Sequence, residues 1–302
     1  MDNSRNAILQ KYEVCDTSLQ LRLLYDNGIR LSRDEALSEL KQSKIVNRLT
    51  KEMVEKPLFY VWRLIALSEI PYTIHLDYTK NLIDRIYNKL STPYGFSLSG
   101  NEKMFLPCYN AMIVSALSRF GRSGDIEVRQ AVDWIMTYQP MERGVQVSIP
   151  NLKFEKYGGC FNNTPCYIGL AKSVMALIEY KKDTQNDYVN NKITKGTEYI
   201  LMHHLFKRQK NGEPITSRIL DISFPESYHL NIVELIRIMG TEYINDERVD
   251  DTIAFLLSQR QKDGKWRINY RYKADGYLVF DQGSKSGDWV SYIINQAIEK
   301  RT

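Results

Sequence analysis

The sequence predicts an all-α protein, folded as an α/α toroid of about five helical hairpins with long loops on one rim. Three observations predict it. Apolar residues recur at helical spacing along most of the chain, whereas period-two alternation is scarce. Four prolines, Pro57, Pro107, Pro165 and Pro225, each stand just before a strongly apolar run, about 50–60 residues apart. Between these runs lie amphipathic segments at 78–90, 125–139, 187–204 and 246–261. A hairpin of this kind cannot bury its apolar face alone, so copies must stack. Runs that are apolar nearly all round belong inside and striped ones outside. An inner ring of helices sheathed by an outer ring follows, with an open α-solenoid as the less closed form.

In chain order, residues 1–55 are expected to form an N-terminal helical segment packing on the ring, and 56–302 a single toroid domain. Residues 18–25 read as a helix closed by Asn27-Gly28, and Ala36, Leu37, Leu40, Ile45, Val46 and Leu49 keep a helical period. The inner helices are expected to follow Pro57, Pro107, Pro165 and Pro225. A fifth copy without the proline begins near Ser286. Proline suits the first helical position, and Thr164 is a good N-cap for the third inner helix. Only 145–149 and 277–280 tempt as strands, and both read as loop ribbons.

Composition narrows the classes. The chain has 302 residues, 43% of them hydrophobic, a net charge of +5 and four cysteines. No run approaches the ~20 apolar residues of a membrane helix, and no secretory apolar region follows Met1. A cytoplasmic setting is therefore expected, with cysteines as thiols or metal ligands rather than disulfides. Basic and aromatic residues interleave at 262–273, a mixture that suits a phosphate or a nucleic-acid strand. Without zinc-finger spacing, an RNP-like sequence or a long basic arm, a solvated loop is the simpler reading, and nucleic acid is not expected as a partner.

The stretch Gly158-Gly159-Cys160-Phe161-Asn162-Asn163-Thr164-Pro165-Cys166 leads into the third inner helix. A thiolate near a helix N-terminus is stabilised, so Cys166 should ionise readily. In a toroid the starts of the inner helices share a rim with the ends of the outer ones. Cys108, Cys160, Cys166 and His203 would meet there from three neighbouring repeats. Thiolates and imidazole suit Zn²⁺ in tetrahedral Cys₃His geometry, with His204 in reserve and Cys15 an ordinary thiol. Two other readings stand beside it: ordinary buried cysteines with His203 capping its own helix, and a metal-free Cys166–His203 nucleophile pair. Four protein ligands make a closed structural site, whereas catalysis needs an open position. Glu226 and Asp288 could form the paired carboxylates of a glycoside hydrolase, or simply favour helix starts.

The element Phe255-Leu256, Gln259, Gly264-Lys265-Trp266 resembles the QW-type repeat of terpenoid cyclases and protein prenyltransferase β subunits. From about residue 56 to 302 the chain resembles that superfamily, and more narrowly the small bacterial prenyltransferase- or squalene-cyclase-like proteins. The other copies depart from the pattern: Gln146 stands where a tryptophan would follow Trp134, Gln139 and Gly144, and His203 where a glutamine would follow Tyr199-Ile200. The resemblance implies a central cavity for an apolar or prenyl-type ligand, a zinc on the rim and a possible partner subunit. Tyr109, Tyr167, Tyr228, Trp62 and Trp289 would line an aromatic mouth, with Lys207, Arg208, Arg267 and Arg271 placed to hold a diphosphate. The Asp-x-Cys plus His pattern of prenyltransferases is not matched. The Asp-x-Asp-Asp acid of terpene cyclases is also missing; the nearest stretch, Val249-Asp250-Asp251-Thr252, falls on an outer helix. The expectation is a zinc-dependent, prenyltransferase-like transferase or binding protein, not a cyclase of that type. The competing class is a non-catalytic scaffold with a closed structural zinc.

Overall fold

In the computed structural model, which describes residues 9, 16–145, 147, 160 and 164–301, the chain is a stack of helices joined by long loops. The N-terminal segment holds α1 (Thr17–Asp26), α2 (Arg33–Gln42) and α3 (Lys44–Leu49). Asp16 caps α1, accepting the Ser18 amide at 2.9 Å, and the same carboxylate accepts from Ser43 Oγ at 2.6 Å and from the Ile45 amide at 3.2 Å. One side chain thus fixes the start of α1 against the start of α3.

The repeat follows as α4 (Pro57–Ser68), α5 (Asp77–Leu90), α6 (Pro107–Arg119), α7 (Ile126–Tyr138), α8 (Tyr167–Thr184), α9 (Asn190–Met202), α10 (Ile232–Tyr243), α11 (Asp250–Ser258) and α12 (Asp288–Ile298). The even-numbered members are the apolar helices. Every residue from Phe59 to Ser68 in α4 and from Pro107 to Ser118 in α6 is buried. The odd-numbered ones are striped: α5 buries Thr79, Leu82, Ile83, Ile86 and Leu90 on one face. Consecutive buried helices pack on one another, α4 on α6, α6 on α8, α8 on α10 and α10 on α12, and α5, α7 and α9 each pack on the helix that precedes them. No helix among the described residues is long and apolar enough to cross a membrane.

Two helix starts differ from expectation. Pro57 and Pro107 open α4 and α6, but α8 begins at Tyr167 with Cys166, in extended backbone (φ −59°, ψ 114°), as its N-cap. Pro225 precedes a turn rather than a helix, and α10 starts at Ile232, where Asn231 accepts the amides of Val233 and Glu234 at 2.9 and 3.1 Å. The reason is tertiary. Glu226 and the Ser227 carbonyl turn to meet Lys172 of α8, so the segment after Pro225 is held by an ion pair instead of helical hydrogen bonds. A two-residue hairpin, β1 (Ser91–Thr92) with β2 (Gly95–Phe96), was not anticipated. Residues 277–280 form a loop, as expected, while 145–149 lie largely outside the described residues.

The QW-like element has a mechanical role. Trp266, 1% exposed, donates from Nε1 to the Leu256 carbonyl at 2.6 Å. Its amide donates to Ser291 Oγ at 2.8 Å, and its carbonyl accepts from the Gly287 amide at 2.8 Å. It therefore ties the end of α11 to the start of α12.

Packing between the layers is tight enough to require glycine at one point. A Cβ on Gly196 of α9 would stand 2.4 Å from Val174 Cγ2 of α8 and 2.9 Å from the Met141 sulfur. Gly196→Ala gains about 1 kcal/mol of helix propensity and loses about 1–3 kcal/mol to overpacking. A net destabilisation of up to about 2 kcal/mol in urea unfolding is expected. The same change in a Val174→Ala background should be neutral or stabilising, because the clashing methyl is gone.

Candidate functional site

Three of the four expected ligands come together. Cys108 is the second residue of α6, Cys166 caps α8, and Cys160 lies in the loop entering it. Cys160 and Cys166 each act on the other's proton affinity, and Cys108 lies within reach of their fields. The influence of Cys160, with the backbone amides of Gly169 and Ile168 at the open end of α8, outweighs burial and brings Cys166 down to about 6. Cys160, the other member of the coupled pair, is pushed up. Cys108, buried and beside Cys166, is pushed up to about 12. Cys166 is thus set toward the thiolate, and Cys108 toward the thiol.

His203 does not share this arrangement. It caps the end of α9, its Nδ1 is 2.8 Å from the Lys207 carbonyl, and its Nε2 is 3.5 Å from Arg143 Nη2. The ring packs on Tyr167 and Tyr199 at centroid distances of 5.4 and 5.1 Å. Burial and the Arg143 cation lower its proton affinity, so the imidazole is neutral and faces a guanidinium. Among the described residues, no group of three or more His, Cys, Asp or Glu side chains stands as a metal shell. The set Cys108, Cys160, Cys166 and His203 is not assembled around a common point, and no chemistry is routed through zinc below. His204, the reserve ligand, is exposed and pairs with Asp251 at 3.4 Å.

The aromatic expectation divides. Tyr109 and Tyr228 stack at 5.8 Å, Trp62 packs on Tyr109 at 5.9 Å and on Tyr272 at 5.2 Å, and His229 joins Tyr228 to Tyr272. This wall adjoins the thiols. Burial and the fields of Cys108, Cys166 and Cys160 together push the Tyr228 phenol up to about 12. Tyr167 instead turns its hydroxyl to the Leu205 carbonyl at 2.6 Å, and Trp289, 1% exposed, is core between Phe224 and Phe280. Arg208 braces its own loop through the Ile215 carbonyl, Lys207 pairs with Asp251 at 2.5 Å, and Arg267 and Arg271 are exposed. No diphosphate clamp is formed from these side chains as they stand. Asp250 and Asp251 pair with Arg301 and Lys207 on the outer helix, as solvated charges.

What sequence reasoning missed is the charged interior. Glu69, at the end of α4, is 0% exposed and meets Arg237 of α10 at 2.9 and 3.1 Å, Arg119 of α6 at 3.0 Å and Arg22 of α1 at 3.4 Å. Arg119 passes the chain of charges to Glu226 at 3.2 Å, and Glu226 to Lys172 at 3.1 Å, which also grips Glu234. Lys172 lies close enough to Cys108 to act on its proton affinity. The one sequence signal was Lys172 itself, a lone charge inside the apolar run Leu170-Ala171-Lys172-Ser173-Val174. Glu226 is thus part of a buried network rather than a helix-start carboxylate, and Asp288 pairs with Lys265 at 2.8 Å.

At the opposite end of the buried helices lies a cavity of about 830 Å³ with walls from α1, α4, α6, α8, α10 and α12. Arg22, Arg119, Glu179, Lys182, Arg237 and Lys300 are among its lining, so it is a charged space. No family model matches the chain, and no curated protein matches it.

The network sets a pH dependence. Burial alone would raise Glu69, but the guanidiniums of Arg119, Arg237 and Arg22 prevail and hold it at about 2. Its contribution is therefore present above the ordinary 4.5 and lost as pH falls toward 2. Glu234 is pushed the other way, to about 8, because burial and Glu226 outweigh Lys172. Its contribution is full below 4.5 and lost as pH rises through 8. Thermal midpoints should peak between these limits. Glu234→Gln should flatten the alkaline limb, and Glu69→Gln should lower stability by about 3–5 kcal/mol at neutral pH, by removing the carboxylate that Arg22, Arg119 and Arg237 share and leaving Arg237 without it.

Proposed function

We propose that the hairpins close into an α/α toroid and that the rim at the starts of the buried helices binds an apolar, prenyl-type ligand, with Cys166 as nucleophile. The observation that carries the reading is the meeting of a thiolate and an aromatic wall at Tyr228. The closure of the ring is supported by the pairwise packing of α4, α6, α8, α10 and α12 and by the cavity they share. It is supported also by Gly276, in the loop before α12, lying so near α4 that a Cβ there would be 2.5 Å from Phe59 Cα.

The two ends of the ring differ in chemistry. An apolar ligand entering the charged cavity would strip water from Arg22, Arg237 and Lys300 without replacing it. Against Tyr228 and Tyr272, half-buried in front of the buried Trp62 and Tyr109, it covers rings that are already partly dry. The Cys166 sulfur then forms a thioether bond to the ligand's allylic carbon as the bond from that carbon to oxygen breaks and diphosphate leaves, a single transfer onto a thiol of low proton affinity.

Alkylation by iodoacetamide, mapped by mass, tests this. Cys166 should react with a midpoint near pH 6, and farnesyl diphosphate should protect it. Cys166→Ala should remain folded and lose the labelling. Reaction at an ordinary thiol midpoint, or labelling indifferent to the ligand, would sink the reading. Elemental analysis decides the competing class. One equivalent of zinc, together with unfolding of Cys108→Ala, would make the cysteines a structural metal site in a scaffold.

A further inference from the structure

We propose that the charged cavity at the ends of the buried helices is a second binding site, which takes a small phosphorylated molecule with an aromatic or apolar body.

Charge is the first argument. The lining holds five cations, whereas its carboxylates are Asp26, Glu179 and Asp183. Glu69 stands behind this wall and is shared by Arg22, Arg119 and Arg237. Counting it, the cations still outnumber the carboxylates. Lys182 meets Glu179 at 3.0 Å, an acid that Arg119 also approaches, and Lys300 has no ion pair among the described residues. Burial and the cations of Lys182, Arg237 and Arg22 lower the proton affinity of Lys300, and Asp26 offsets part of this. An anion in the cavity relieves that crowding.

Hydrogen bonding is the second argument. The Arg119 side chain is 6% exposed, and its Nη1 meets Glu69 at 3.0 Å and Glu226 at 3.2 Å. Its Nε and Nη2 hydrogen-bond to nothing among the described residues, because the Glu179 oxygen, 3.8 Å from Nε, is too far. A buried guanidinium with idle donors has lost their hydration without replacement. A phosphate monoester brings three acceptor oxygens and up to about two negative charges. It therefore supplies both what the nitrogens lack and what the lining lacks, in the paired geometry that a guanidinium favours.

The space calls for more than the anion. About 830 Å³ is in the range of pockets that hold drug-sized molecules. Tyr25, Tyr72, Ile74 and Phe120 also line it, and the two tyrosines meet edge to face at 5.8 Å. On the same wall α10 breaks at Gly240 (φ 51°, ψ −147°), where a Cβ would meet nothing within 4 Å. The wall thus has cationic, aromatic and open parts, which suit a phosphate carrying an organic body.

Calorimetric titration of the full-length chain at fixed ionic strength, with inorganic phosphate, phenyl phosphate and phenol, tests this. Both phosphates should saturate one site, phenyl phosphate about tenfold more tightly because its ring leaves water. Phenol should not saturate. Lys300→Glu and Gln296→Glu, at lining positions outside the buried ion pairs, should each weaken both phosphates about tenfold. Lys300→Arg should retain them. Cys166 alkylation should be unaltered in all three variants, because that thiol caps the opposite end of α8. Failure of both phosphates to saturate, equal affinities for the two, or affinities unchanged in both Glu variants would overturn the proposal. So would phenol binding as tightly as phenyl phosphate, or altered Cys166 alkylation in the variants, which would make the two ends one site.

Discussion

A carboxylate shut away from water holds this fold in register. An ion of that size pays several kcal/mol in lost hydration unless partners replace the water. For Glu69 the partners come from α1, α6 and α10, so the ends of four helices have one mutual arrangement that leaves no charge stranded. Hydrophobic burial along α4 and α6 brings the helices together, but apolar faces tolerate sliding and rotation. Bidentate contact between Arg237 and Glu69 does not, because both the distance and the plane of the guanidinium are fixed.

The same charges reach across the interior toward the thiols. From Glu69 the contacts run through Arg119 and Glu226 to Lys172, whose field extends to Cys108. The turn after Pro225 is drawn inward by Lys172, and that turn carries Tyr228. Within the aromatic wall, Tyr228 is consequently positioned by the buried ion pairs, while Trp62 and Tyr109 stand on α4 and α6. The charged cavity at the ends of the buried helices and the sulfur and aromatic side chains at their starts are parts of one connected arrangement.

Three cysteines within one cluster show how environment separates identical side chains. Cys108 has burial without compensating donors, so it keeps its proton. Cys166 feels Cys160 and the helix-start amides, which lower its proton affinity against burial. Cys160, coupled to it and partly buried, is pushed up. His203, chemically the most obvious fourth member, is withdrawn by local geometry: the turn that ends α9 brings the Lys207 carbonyl to one ring nitrogen, and Arg143 faces the other.

By itself the sequence determined the helical class, the alternation of fully apolar and striped helices, and most helix boundaries. These follow from local periodicity and capping, which neighbouring residues encode without reference to the rest of the chain. Only tertiary structure decided that α10 starts at Ile232 rather than after Pro225, that Trp289 is core, and that His203 faces Arg143. It alone revealed that Glu69, Arg119, Glu226 and Lys172 are one network, although those residues lie up to 157 positions apart. A pattern in a strand of sequence reports which face of a helix is apolar. It does not report which charge on another helix will stand opposite, because that depends on distances set only when every helix has packed.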